Sequence, residues 1–170
     1  MKRFVFPPPV TGLWRDQDAG DRKVWLRAAC THHFENAARG RVAPRPDRTI
    51  VLEGSLVDGL LGFFCAMGEA VNGPGGYFGS SFHSFDDCLF GGFGLDYPYT
   101  IIWEGSAESR PYLGSEILHS WPEEEREGED PFPEIAASWA EGADTMFDVL
   151  VHQMQSVSTR GHGSAELLLR

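Results

Sequence analysis

Lysine is almost missing from this chain: Lys2 and Lys23 are the only two among 170 residues, so nothing after position 23 carries an ammonium side chain. Nine of the 14 basic residues lie before position 48, whereas only five of the 25 acidic residues do. Residues 48–170 therefore hold five basic against twenty acidic groups, a net charge near −15, while residues 1–47 carry about +4. Phosphate backbones are bound by Lys and Arg that displace condensed counterions, so direct contact with DNA or RNA is excluded for the acidic part. A basic partner would instead be steered toward it.

Other absences narrow the class further. Cys30, Cys65 and Cys88 are odd in number and widely spaced, which argues against a disulfide framework and for a reduced compartment. No apolar run approaches the roughly 20 residues of a transmembrane helix, so no membrane role is expected. Phe4-Val5-Phe6 stops at Pro7-Pro8-Pro9 before the apolar region of a leader peptide could form, and the expected location is the cytoplasm. Cys30-Thr31-His32-His33 lacks the four ligands and paired spacings of a structural zinc site. His83 and Asp87, four apart with Asp86 adjacent, have the spacing of an acid/base pair, but no nucleophile or metal signature accompanies them. The expectation is a protein that is not an enzyme and uses no cofactor or metal.

What the sequence does contain is concentrated in one stretch, Gly75-Gly76-Tyr77-Phe78-Gly79-Ser80-Ser81-Phe82-His83-Ser84-Phe85-Asp86-Asp87-Cys88-Leu89. Glycines 73, 75 and 76 around Pro74 end a preceding apolar helix, expected over Asp58 to Val71, and place Tyr77 and Phe78 on a turn. Ser55, three residues before Asp58, has the spacing of a capping box for that helix. Phe82, Phe85 and Leu89 recur at helical spacing and mark a core face, which puts Asp86 and Asp87 on the opposite side with His83 and Phe90. A glycine-rich loop before a helix can cradle phosphate, but no Lys-Ser or Lys-Thr follows and the neighbouring acids oppose an anion.

Taken with its flanks, this stretch resembles the barstar family of intracellular ribonuclease inhibitors. The similarity starts at the apolar strand Thr49-Ile50-Val51-Leu52-Glu53-Gly54, passes through the helix and aromatic loop, and continues past Gly91-Gly92. There Tyr97-Pro98-Tyr99-Thr100-Ile101-Ile102-Trp103-Glu104 is similar to the family's second strand. A helix near Ala143 to Val157 and a strand Ala165-Glu166-Leu167-Leu168-Leu169 complete the order β-α-α-β-α-α-β, covering about two thirds of the chain. The resemblance implies an α/β fold with a small three-stranded parallel sheet packed with about four helices. It also implies inhibition of a basic extracellular or toxin-type ribonuclease, as an immunity protein that is monomeric when free. In that mechanism the second helix and its preceding loop enter the nuclease active site and imitate substrate charge.

The implied contact residues are Tyr77, Phe78, Gly79, His83, Asp86, Asp87, Phe90 and Gly91. Asp87 falls on the family's central acid, Tyr77 on an aromatic contact, Gly91 on a close backbone approach and Cys88 on a structural cysteine. Ser81 stands where the family often has Asn, His83 where it has an acid, and Asp86 where it has an aromatic residue. The acid that the family draws from its last helix falls near Val151 or His152, one turn after Asp148. Those departures point to a different cognate nuclease. An alternative reading keeps the scaffold but makes it a binding module that regulates another basic partner.

Two segments lie outside the resemblance. Residues 1–47 form an N-terminal extension, with Val24 to Cys30 compatible with a strand or a helix start and Arg39 to Arg48 reading as a basic linker. Trp14, Trp25 and Leu26 are expected to pack it on the barstar-like domain, residues 48–170. An acidic insertion near 115–140, with Glu123 to Asp130 between Pro122 and Pro131, reads as a solvated loop or an additional partner contact.

Overall fold

A computed structural model describes residues 4–44, 48–120, 141–161 and 163–170. Three parallel strands, β1 (Thr49–Glu53), β2 (Tyr99–Glu104) and β3 (Ala165–Leu169), form one sheet in the order β1-β2-β3. The chain is an α/β protein of the expected class. Alternation sorts each strand by face: Ile50 and Leu52 of β1 and Tyr99, Ile101 and Trp103 of β2 are buried under the helices. Val51, Ile102 and Leu168 pair in a row on the opposite face, where Val51 is exposed.

Helix α1 (Ala19–Ala38) lies in the extension, α2 (Leu60–Asn72) and α3 (Phe82–Leu89) connect β1 to β2, and the single turn α4 (Ser106–Ser109) follows β2. Helix α5 (Met146–Arg160) leads into β3. The parallel strands require these crossovers, because a tight turn cannot bring the chain back in the same direction. The acidic run Glu123 to Asp130 lies outside the described residues; immediately before it, residues 115–120 are helical.

One expectation is corrected, and a second, left open between strand and helix, is resolved. Asp58 does not take part in a capping box: Ser55 sits in a 3-10 turn, α2 starts one residue after Gly59 (φ 140°), and Arg22 of α1 donates from both terminal guanidinium nitrogens to Asp58. Long-range pairing took the carboxylate that local spacing had assigned to the helix end. The segment Val24 to Cys30 is helical throughout, inside α1, which is capped by the Asp18 side chain accepting from the Asp21 amide.

The extension is integral to the core. Trp14, Trp25, Leu26 and Ala29 are buried in the same apolar cluster as Phe63, Phe64 and Met67 of α2. Burying side chains of this size contributes about 1.5–3 kcal/mol each. Glu69, buried in α2, fastens the arrangement: its Oε2 accepts from Gly12 N at 2.7 Å and Trp14 Nε1 at 3.0 Å, and its Oε1 from Gly75 N at 3.0 Å. A single carboxylate thereby ties the extension to the glycine-rich loop.

Candidate functional site

Helix α3 owes its position to an N-terminal cap and to two long-range hydrogen bonds. Ser81 and Ser84 form a reciprocal capping box, with the Ser84 amide donating to Ser81 Oγ and the Ser81 amide to Ser84 Oγ. Gln153 of α5, fully buried, donates from Nε2 to the Phe82 carbonyl at 2.9 Å. At the other end the Tyr99 hydroxyl donates to the Leu89 carbonyl at 2.7 Å. Phe82, Phe85, Cys88 and Leu89 are buried, so the helix has one rotational setting, and its outer face is fixed by its inner one.

That outer face carries His83, Asp86, Asp87 and Phe90. Asp87 is exposed and, among the described residues, has no ion-pair partner. His83 is half-buried. Asp86 is placed differently: Arg160, the last residue of α5, binds it through both Nη atoms, at 2.9 and 2.7 Å. The hydrogen bond to Asp86 holds the Arg160 guanidinium above its ordinary pKa, against the opposing effect of burial. The same guanidinium lies 5.1 Å from the centroid of the Phe90 ring, which is partly exposed beside the C-terminus of α3. Of the two adjacent acids, only Asp87 offers an unneutralised charge outward. Gly91 follows with φ 107°, a left-handed setting in which a Cβ would lie 3.0 Å from Asp96 Oδ1.

The loop is placed otherwise than the sequence suggested. Phe78 has no exposed surface and packs against Phe85 at a ring separation of 6.0 Å. Gly79, buried with φ 89°, allows this close approach, since a Cβ there would come within 2.5 Å of Phe85 Cα. Tyr77 is 4% exposed, roofed by His33 of α1 at 5.8 Å and by Phe93 at 6.4 Å. Burial raises the Tyr77 hydroxyl pKa to about 12 and lowers that of His33. Tyr77, Phe78 and Gly79 thus support the helix from within and do not present an aromatic surface. Phe78 and Gly79 are enclosed by α3 itself, and Tyr77 is covered in part by α1, whose packing over the loop the sequence did not reveal.

Other residues escaped the sequence reading. Glu69 could have been noticed as the one charge in an otherwise apolar helix, Leu60 to Asn72. Arg160 had no local signal, because its partner is 74 positions away. Asp148, expected as the nearest acid on the last helix, accepts from Thr145 N and Oγ1 in the cap of α5. Cys30, His32 and His33 differ in their surroundings: Cys30 is half-buried, His32 contacts Asn36, and His33 stacks on Phe93 at 5.3 Å. Among the described residues, no cluster of three or more metal-ligating side chains occurs and no helix is long and apolar enough to cross a membrane.

The fold and site define a small α/β protein with a single acidic helix edge beside an internally paired Asp-Arg couple. No family model, curated protein or solved structure matches the chain.

Proposed function

We propose that this chain is a barstar-like inhibitor that blocks the active site of a basic microbial ribonuclease, of the extracellular or toxin type, with the outer edge of α3. The observation that carries the reading is Asp87, exposed in the last turn of a helix whose cap, inner face and both ends are fixed by the core. A carboxylate on so fixed a backbone meets a partner's cations with only its own side-chain freedom left to lose. The sheet topology and the lysine-free charge of residues 48–170 support the same reading. It implies a cytoplasmic immunity protein, monomeric before it meets the nuclease, with no catalytic role, cofactor or metal.

RNA cleavage by a basic guanyl-specific ribonuclease, titrated with wild type and Asp87→Ala in parallel, tests it. Stoichiometric inhibition that Asp87→Ala weakens at least tenfold is expected, with thermal stability unchanged within about 0.5 kcal/mol because the side chain is exposed. Equal inhibition by both proteins would reject the central role of Asp87. Two observations favour the second reading, a module for a different basic partner: α1 covers Tyr77, and Arg160 neutralises Asp86. Binding to a basic protein without inhibition of any ribonuclease would select it.

A further inference from the structure

Asp86 and Phe90 recognise a guanidinium already, and it belongs to the same chain. The fork of Arg160 meets both carboxylate oxygens and lies over the aromatic ring, which is how a carboxylate and a ring select arginine over lysine. The couple sits at the rim of α3, with 33% of the Arg160 side chain and 16% of the Asp86 side chain exposed. Arg160 ends its helix and is followed by Gly161, so its side chain can swing outward without unwinding α5. Its remaining bonds are to Ser156 Oγ at 3.0 Å and the Gln153 carbonyl at 3.4 Å. When the guanidinium leaves, Asp86 keeps, among the described residues, the Gln153 amide at 3.4 Å.

We propose that Asp86 and Phe90 form an arginine-binding site that Arg160 fills in the free protein and that an arginine of a protein partner takes over on binding. Asp87, one residue on, supplies a second charge to the incoming side chain. The internal arginine then sets selectivity: a partner gains from Asp86 only if its own group replaces both hydrogen bonds and the ring contact. An ammonium has no planar fork to present to both oxygens and the ring at once. The inference depends on the proposed function for the identity of the partner, but its chemistry is accessible without a nuclease.

Fluorescent hexa-arginine and hexa-lysine peptides, titrated at low salt and followed by anisotropy, provide the test. The proteins are wild type, Arg160→Ala, Asp86→Asn/Arg160→Ala, and Arg27→Ala, which removes an equal charge from the exposed side of α1. An ion pair near the surface closes its site by a factor of about five. Arg160→Ala should therefore bind hexa-arginine about fivefold tighter than wild type, beyond any change in Arg27→Ala, with a smaller gain for hexa-lysine. The added Asp86→Asn change should abolish that gain. Equal affinities for Arg160→Ala and Arg27→Ala, or equal gains for both peptides, overturn the proposal. Circular dichroism checks folding; should Arg160→Ala not fold, Arg160→Lys keeps the charge without the fork and must still show the arginine preference. Failure of the wild type to inhibit ribonucleases leaves these titrations readable, so the two ideas can fall separately.

Discussion

Replacing Glu69 by Ala removes an acceptor shared by the extension and the glycine-rich loop. Three donors lose it: Trp14 Nε1 and Gly75 N are buried, whereas Gly12 N is only part-buried and can turn to water. Each buried donor left without a partner costs about 1–3 kcal/mol, so the two together cost about 2–6 kcal/mol. Relief of the desolvated carboxylate offsets part of this, and a net loss of about 3 kcal/mol is expected. For a chain of this length that lowers the melting midpoint by about 6–12 °C. Urea unfolding followed by tryptophan fluorescence and far-ultraviolet circular dichroism measures it. Trp14→Phe removes a single donor while keeping most of the ring, and a double-mutant cycle with Glu69→Ala should give a coupling of about 1 kcal/mol. A loss below about 1 kcal/mol in Glu69→Ala, with no coupling to Trp14→Phe, would show that the extension is held by apolar packing alone.

Further outcomes follow from the buried titratable groups. Burial raises Tyr77 to about 12 and raises Tyr99 as well, so the folded state retains protons that the unfolded chain releases near pH 10. This contribution to stability is complete below pH 10 and disappears as pH rises toward the folded values, so urea midpoints should fall above pH 10 and Tyr77→Phe should flatten that fall. Burial pushes up all three thiols, but Cys30 is only half-buried and should react with a thiol-specific disulfide reagent in the native protein before the buried Cys65 and Cys88. Kinetics in which all three thiols react at one rate would contradict the burial of α2 and α3 described above.

Much of the secondary structure was legible because it is written in local periodicity. The inner face of α3, set by Phe82, Phe85 and Leu89, needed only spacing and residue type, whereas the strand Ala165 to Leu169 was expected from the element order that the barstar resemblance implies. Element ends were less legible: the Ser55 and Asp58 pair has the spacing of a cap, yet Asp58 pairs with Arg22, 36 residues earlier. The extension offered its tryptophans as candidates for packing, and Trp14 and Trp25 are indeed buried, but nothing local indicated that α1 would roof Tyr77.

The sequence by itself determined the sign of the electrostatic field through composition and the outward setting of Asp87 through the angle between neighbours along one helix, while the class of fold was legible only through the order of elements that the barstar resemblance implies. Tertiary structure alone decided which of the two adjacent acids remains available. Asp86 meets Arg160 because α3 and α5 cross on the same side of the sheet, and Glu69 meets Gly12 and Trp14 because α1 lies on α2. Hydrogen bonds act over about 3 Å, so pairings between residues 55 to 74 positions apart are set by how helices cross and leave no periodic trace in the chain.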